Sequence, residues 1–426
     1  MQSLKQKDRQ YVWHPFTSFT SAPEPIPIIK GEGVYLVDES GNRYMDAISS
    51  WWVTLHGHAH PYIAEKIYRQ ALELEQVIFA GFTHRPAVEL AERLINILPG
   101  DFSKIFYSDN GSTSTEVAMK MAIQFWWNTT SGEIRTVKRH KILAFRNSYH
   151  GDTFGAMSVS ERSVFTLAFQ EKLFDVVFID TPTAGNIASL KTFVSLQGNE
   201  FAAFIYEPLV QGAGGMKMYD QALLSALLAT CKQHGIICIA DEVMTGFGRT
   251  GRLFASEHME VKPDIICLSK GLTGGTMALG VTACTQRIVD AFVSEDKLKT
   301  FFHGHSFTAN PLACTAALAS LDLLLMGGCL KNIEMITAAN LRFALQLQDH
   351  PKTRNMRCCG TIVAFEYNFG NDEYLNDISQ QITAYMLNHG IYLRPLGNTV
   401  YIMPPYCITV AELEQVYARI ISFLNL

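Results

Sequence analysis

Two short apolar runs, each closed by charge, limit what this chain can fold into. Ile236 to Ala240 ends in Asp241 and Glu242, and Ile265 to Leu268 is followed by Ser269 and Lys270. Apolar runs of this length, bounded by polar or Gly-rich punctuation, fit strands of a buried parallel sheet. Further strand-like runs, Lys104 to Ser108, Ile142 to Arg146, Asp175 to Ile179 and Ala202 to Tyr206, alternate with longer helical patterns between about residues 51 and 320. That alternation predicts an α/β fold with a mainly parallel sheet covered by helices. Ligands of such sheets bind at the carboxyl ends of the strands, so an acid and a lysine at two ends face one cleft.

A buried lysine beside a carboxylate is often a structural ion pair. Lys270, however, lies in Ser-Lys-Gly-Leu-Thr-Gly-Gly, where small residues leave room for a flat ligand. A desolvated lysine amine is neutral enough to condense with an aldehyde. Pyridoxal phosphate needs that amine, together with a carboxylate on its pyridine nitrogen so that the protonated ring can draw off electrons. Asp241 is the candidate for the second role.

The run Asp-Glu-Val-Met-Thr-Gly-Phe-Gly-Arg-Thr-Gly from Asp241, followed by Pro-Asp-Ile-Ile-Cys-Leu-Ser-Lys-Gly-Leu-Thr-Gly-Gly from Pro263, resembles the cofactor signature of the class III pyridoxal-phosphate aminotransferases. The likeness extends from Trp13-His14-Pro15 to Pro404-Pro405, and it is strongest to the branch that makes 7,8-diaminononanoate for biotin. The resemblance implies fold type I, with a large cofactor-binding domain over 51–320. It also implies an N-terminal segment, 1–50, packed with a smaller α+β domain over 321–426. A homodimer with active sites at the subunit interface is expected.

Site residues follow from the same likeness. Gly111, Ser112 and Thr113 follow the strand Ile105 to Tyr107 and open a helix, where free N–H groups and the helix dipole favour a phosphate. As isolated chemistry the stretch is an ordinary helix cap; in the relatives it holds the cofactor phosphate. In His303 to Cys314, Ser306 matches a hydroxyl residue that reaches the phosphate of the neighbouring subunit, with Thr308 as the alternative register. Tyr149 is expected to stack on the pyridine ring, and Val243, read as two residues along the same strand face as Asp241, to clamp the other side. Trp51 and Trp52 resemble an aromatic pair around the aliphatic chain of 8-amino-7-oxononanoate, Arg394 the arginine that grips its carboxylate.

Two departures bear on the amino donor. Phe16 stands where relatives often have Tyr, and Ala213 stands where glutamate-using relatives have a Glu that shields the arginine. The second speaks against 2-oxoglutarate-type donors. The family donor is S-adenosylmethionine, and the lost hydroxyl at Phe16 leaves lysine open. A class III ω-amino acid aminotransferase or aminomutase is the alternative enzyme. A non-catalytic scaffold is the remaining class, and the intact Lys270, Asp241 and phosphate loop argue against it.

Other features narrow the field. Gly246-Phe247-Gly248-Arg249-Thr250-Gly251 is formally a dinucleotide fingerprint, but no helix start follows and position 271 is Gly rather than acid. His56, His58 and His60 would share a face if extended, yet no further ligands at zinc spacing accompany them, so no metal is expected. A net charge of −5 gives no electrostatic case for nucleic acid. Charged residues are only 18%, below the roughly 25% of average domains, which suits a buried subunit interface. No apolar run approaches ~18 residues, and the first eight residues lack an apolar core, so no membrane partner and a cytoplasmic location are expected. The nine cysteines include no CxxC pair and read as reduced thiols.

Overall fold

Seven strands make the central sheet in a computed structural model that describes residues 2–130, 139–326, 328–368 and 377–426. In chain order they are β1 (Phe102–Ser108), β2 (Lys141–Phe145), β3 (Val176–Ile179), β4 (Phe201–Tyr206), β5 (Ile237–Asp241), β6 (Ile265–Leu268) and β7 (Gly280–Thr285). Across the sheet the order is β1-β7-β6-β5-β4-β2-β3. Neighbours from β6 to β3 pair parallel, and β7 runs antiparallel to both β6 and β1.

Every residue of β4, β5 and β6 is buried. Because successive side chains of a strand point to opposite faces, this requires cover on both sides. Ala203, Ile205, Ile237, Ile239 and Ile265 join the core under α1 (Gly111–Thr129), with its Val117, Met121 and Phe125. Their alternates Phe204, Tyr206, Cys238, Ala240, Ile266 and Leu268 join the larger core that includes Leu224, Leu227 and Leu228 of α2 (Gln221–Gln233). The polar end of each strand is thereby left at the rim.

The strand β7 has no counterpart among the apolar runs of the sequence. Its Gly-Val-Thr-Ala-Cys-Thr is buried by its neighbours, and Thr282 satisfies its hydroxyl by donating to the Ser114 carbonyl at 2.8 Å.

Residues from both ends of the chain meet beside this sheet. Strands Ile28–Glu32, Tyr35–Asp38 and Arg43–Asp46 form an antiparallel meander, with Ser40-Gly41-Asn42 at its second turn, and Ile391–Tyr392 adds in parallel to Arg43–Asp46. A separate antiparallel sheet contains Thr353–Cys359, Ile362–Tyr367 and Thr399–Ile402. The Ala47 amide donates to the Tyr392 carbonyl, and the Ala47 carbonyl accepts from the Met403 amide. These bonds fix the start of the segment that carries Trp51 and Trp52. Among the described residues no single helix is long and apolar enough to cross a membrane.

Candidate active site

The parallel register of β5 and β6 sets Asp241 opposite Cys267, so Lys270 emerges just beyond it. Both side chains line one cavity of about 660 Å³, together with Gly111, Ser112, Tyr149, Val243 and Trp52. Asp241 is 5% exposed and does not pair with Lys270; its Oδ2 lies 2.6 Å from Nδ1 of His150. Oδ1 accepts the Val243 amide at 3.1 Å. Burial lowers the Lys270 pKa from 10.5 to about 8, against the pull of Asp241 and Glu207, and Arg249 lowers it further. Its Nζ lies 4.5 Å from the centroid of the Trp52 ring. The amine is desolvated and, among the described residues, has no carboxylate in salt-bridge contact, which suits a lysine nucleophile.

Val243 reaches the cavity by a different route from the one its spacing predicts. The strand stops at Asp241, and Val243 lies in the following turn, where its amide bond to the Asp241 carboxylate holds it.

At the start of α1, Asn110 caps the helix: its Oδ1 accepts the Thr113 amide at 2.9 Å, while Thr113 Oγ1 accepts the Asn110 amide at 3.1 Å and donates to Asp109. The amide and hydroxyl of Thr113 are thus engaged in the cap, whereas Gly111 and Ser112 line the cavity. First-turn amides have no carbonyl within the helix to meet, so those of Gly111 and Ser112 suit an anion. Packing here is too close for side chains. A Cβ on Gly111 would lie 2.6 Å from Val243, and one on Gly151, at φ +129°, would lie 2.1 Å from the Ser112 hydroxyl oxygen.

Tyr149 separates this cavity from a second, of about 500 Å³, that shares Gly151 and Asp152 and includes Phe165 and Ala213. Burial and the nearby Asp152 raise the Tyr149 phenol well above its ordinary range. Phe16 meets Phe165 at 5.7 Å and Trp51 at 5.5 Å, and the Arg394 guanidinium lies 5.5 Å from the Trp51 ring centre. Trp52 is anchored by its indole N–H, which donates to the Tyr401 hydroxyl at 2.9 Å. Ser49, Ser50 and Trp52 all have positive φ, at 54°, 59° and 67°. Non-glycine residues in such conformations cost roughly 1–3 kcal/mol each, so surrounding bonds must hold them.

Ser306 and Thr308 do not line the cavity of their own chain. Thr308 Oγ1 donates to the His305 carbonyl at 2.8 Å within a turn, and the exposed Ser306 offers its carbonyl to Gln76. The three histidines of 56–60 do not share a strand: His56 meets Ser320 and His58 meets Asp46. Among the described residues no cluster of three or more His, Cys, Asp or Glu side chains is placed to hold a metal ion.

Three residues gain importance only in three dimensions. His150 is buried against Asp241, and its Nε2 has no hydrogen-bond partner among the described residues. Glu207 accepts the Tyr149 amide at 3.0 Å and the Gly212 amide at 2.8 Å; burial, and secondarily the charge of Asp241, push it up to about 7. Arg249, from the glycine-rich string, is buried and donates to the carbonyls of Pro404, Trp52 and Thr54 at 2.9, 3.4 and 3.3 Å. The sequence places His150 beside Tyr149 but gives no sign that Asp241 is the acid it meets.

The cavity suits a planar phosphorylated aldehyde. It offers an amine without an ion pair, a carboxylate backed by His150, and a helix start cleared of side chains by Gly111 and Gly151.

Comparison with known proteins agrees with this chemistry. The family model described as Aminotransferase class-III matches residues 18–424. Adenosylmethionine-8-amino-7-oxononanoate aminotransferase of Synechococcus elongatus is 46% identical, over 97% of this chain and 98% of its own length. The protein of the same name from Geobacter sulfurreducens is 38% identical, over 97% and 95%. Among solved structures, adenosylmethionine-8-amino-7-oxononanoate aminotransferase of Methanocaldococcus jannaschii superposes with a TM-score of 0.93 at 32% identity, covering 98% of each chain. The omega transaminase of Pseudomonas jessenii in complex with PMP gives 0.92 at 25% identity, covering 100% of this chain and 98% of its own.

Proposed function

Because the chain belongs to the class-III aminotransferase family, we propose that it is a pyridoxal-phosphate enzyme that aminates 8-amino-7-oxononanoate to 7,8-diaminononanoate in biotin biosynthesis. The observation that carries this reading is the Lys270 amine, unpaired and depressed to about 8, in one cavity with Asp241. The bound cofactor supplies an electron sink for the carbon that gains or loses the amino group.

The chain's own residues do the rest. Lys270 would hold the cofactor through its amine, and that amine, when free, would take up and give back the proton of the donor's α-carbon, since a pKa near working pH serves in both directions. Asp241 would face the ring nitrogen, with His150 against its Oδ2. Tyr149 and Val243 face the two sides of the ring. Amides of Gly111 and Ser112 hold the phosphate, with Thr113 supporting the cap behind them. Arg394 takes the substrate carboxylate, and Phe16, Trp51 and Trp52 line the path of its aliphatic chain.

A homodimer belongs to this reading. Ser306 sits on an exposed turn outside its own cavity, so a second copy presents it, or Thr308, to the phosphate. S-adenosylmethionine is the proposed donor and lysine the alternative, since Phe16 lacks a hydroxyl and Ala213 leaves no acid to shield Arg394. The reaction is placed in the cytoplasm. A second reading, an ω-amino acid transaminase, draws on the likeness to the P. jessenii enzyme.

One assay separates them. Protein purified with cofactor is given 8-amino-7-oxononanoate with S-adenosylmethionine or with lysine, and 7,8-diaminononanoate is measured by mass spectrometry. Turnover with either donor supports the biotin step and identifies the donor. Consumption of short ω-amino acids alone contradicts it.

A further inference from the structure

The segment that carries the tryptophan pair is held from behind by groups that do not line the cavity. We infer that Asp46 is a positioning residue that sets selectivity for long substrates by fixing Ser50, and with it Trp51 and Trp52, against the cavity of Lys270. This inference rests on the transaminase reading above.

Asp46 ends the strand Arg43–Asp46 and is fully buried. Its Oδ1 accepts the Ile48 amide at 3.2 Å. Its Oδ2 accepts the Ser50 amide at 2.6 Å and the Ser50 hydroxyl at 3.2 Å, and faces Nε2 of His58 at 2.9 Å. One carboxylate therefore gathers the donors of a single turn, braced by an imidazole from a segment packed beside it. The residue so gripped is the one that needs it. Ser50 has φ 59° and ψ −90°, a conformation that a non-glycine residue keeps only when its surroundings impose it.

The other ties act on its neighbours. Ser49 donates its hydroxyl to the Met403 carbonyl at 2.8 Å, and Arg249 reaches the Trp52 carbonyl. Neither would restore Ser50 if Asp46 let go. Trp51 follows Ser50 directly, and its ring stands 5.5 Å from both Phe16 and the Arg394 guanidinium. If this turn relaxes, the apolar wall moves while Asp241 stays at the end of its strand, Lys270 just beyond the next, and Gly111 and Ser112 at the start of α1. Binding gained from burying methylenes scales with chain length, so a long substrate loses what a short one never had.

The test uses holoenzyme and the reverse half-reaction, in which an amine discharges its amino group and the visible spectrum changes. The long amine is 7,8-diaminononanoate and the short one is 1,2-diaminopropane, a vicinal diamine without the chain or its carboxylate. Asp46→Asn preserves shape, but its one carboxamide oxygen cannot serve Ile48 and Ser50 together and it brings no charge opposite His58. Its expected result is an apparent Kd at least ten-fold weaker for the long amine, within two-fold for the short one, with the resting spectrum and the limiting rate unchanged. Deuterium exchange across residues 47–54 should speed up in the same protein. Equal losses with both amines, or an unchanged Kd for the long one, overturn the inference.

Should Asp46→Asn fail to fold, Ser50→Gly decides. It removes the hydroxyl bond and the backbone constraint, and a roughly five-fold loss confined to the long amine is expected; no change overturns the inference. Wild-type holoenzyme that reacts with 1,2-diaminopropane but not with 7,8-diaminononanoate breaks the proposed substrate instead. Asp46 is then judged by the same ratio on ω-amino acids of increasing length.

Discussion

The two sides of the cavity are built on opposite principles. On the cofactor side, Asp241 ends a fully buried strand and Lys270 lies just beyond another, with Gly111 and Ser112 at the start of a long helix. On the other side, Trp52 lines the cavity from a turn with three positive φ values, and beside it Trp51 meets Phe16 and Arg394, which come from distant parts of the chain. The first side is anchored in regular backbone pairing, with Lys270 itself at φ 46° just past its strand. The second depends on individual bonds from Asp46, Arg249, Met403 and Tyr401. A catalytic group that must keep its place through every turnover gains from the stiffer support, whereas a wall that adapts to substrate can rest on side-chain ties.

Replacing Asp241 by Ala should have the largest effect. Turnover is expected to fall at least ~10³-fold, about 4 kcal/mol, with little change in the substrate KM. Steady-state kinetics on cofactor-saturated protein measure it; a KM effect alone would blur the division between the two sides.

Next comes the stability cost of the unpaired lysine in cofactor-free protein. Lys270 has a folded pKa near 8 against 10.5 for an unperturbed lysine, so between those values the unfolded chain binds more protons than the native one. The penalty is fully present below pH 8 and is relieved as pH rises toward 10.5, by on the order of 3 kcal/mol. Urea unfolding of wild type and Lys270→Met across that window isolates the effect, because other groups titrate equally in both. The difference between the two proteins should shrink as pH rises; a constant difference would mean the amine is not desolvated.

Arg394→Ala should raise the KM for 8-amino-7-oxononanoate about 30-fold, near 2 kcal/mol, and leave reaction with amines lacking a carboxylate almost unchanged. Loss with both kinds would place Arg394 in the cofactor side. The smallest effect is at the cap: Asn110→Ala should cost about 1 kcal/mol of stability by denaturant unfolding. It should also weaken phosphate retention, since the cap orients the first turn.

How much of this is legible in the sequence follows the same division. The apolar runs before Asp241 and Lys270 announce their strands because both faces of β5 and β6 are covered, leaving no polar alternation to confuse the reading. The strand β7 lacks that signal, since small and hydroxyl residues fill it and its burial comes from neighbours. Spacing puts Val243 on the strand of Asp241, but spacing cannot tell where a strand stops; a turn held by the Asp241 carboxylate carries it instead. Thr113 is expected at the phosphate because capping and anion binding use the same residue types at the same place. Its bonds to Asn110 and Asp109 add a capping role that the sequence pattern cannot separate from it. His150, Glu207 and Asp46 carry no local signal, because each acts through a partner that only the folded chain brings near.

Reduction with borohydride tests the central claim most directly. Holoenzyme is reduced, digested and mapped by mass spectrometry for the increment of a covalently fixed pyridoxyl phosphate. One modified peptide is expected, carrying the increment on Lys270. An increment on another lysine, or an unmodified Lys270 in protein that still catalyses transamination at full rate, would contradict it.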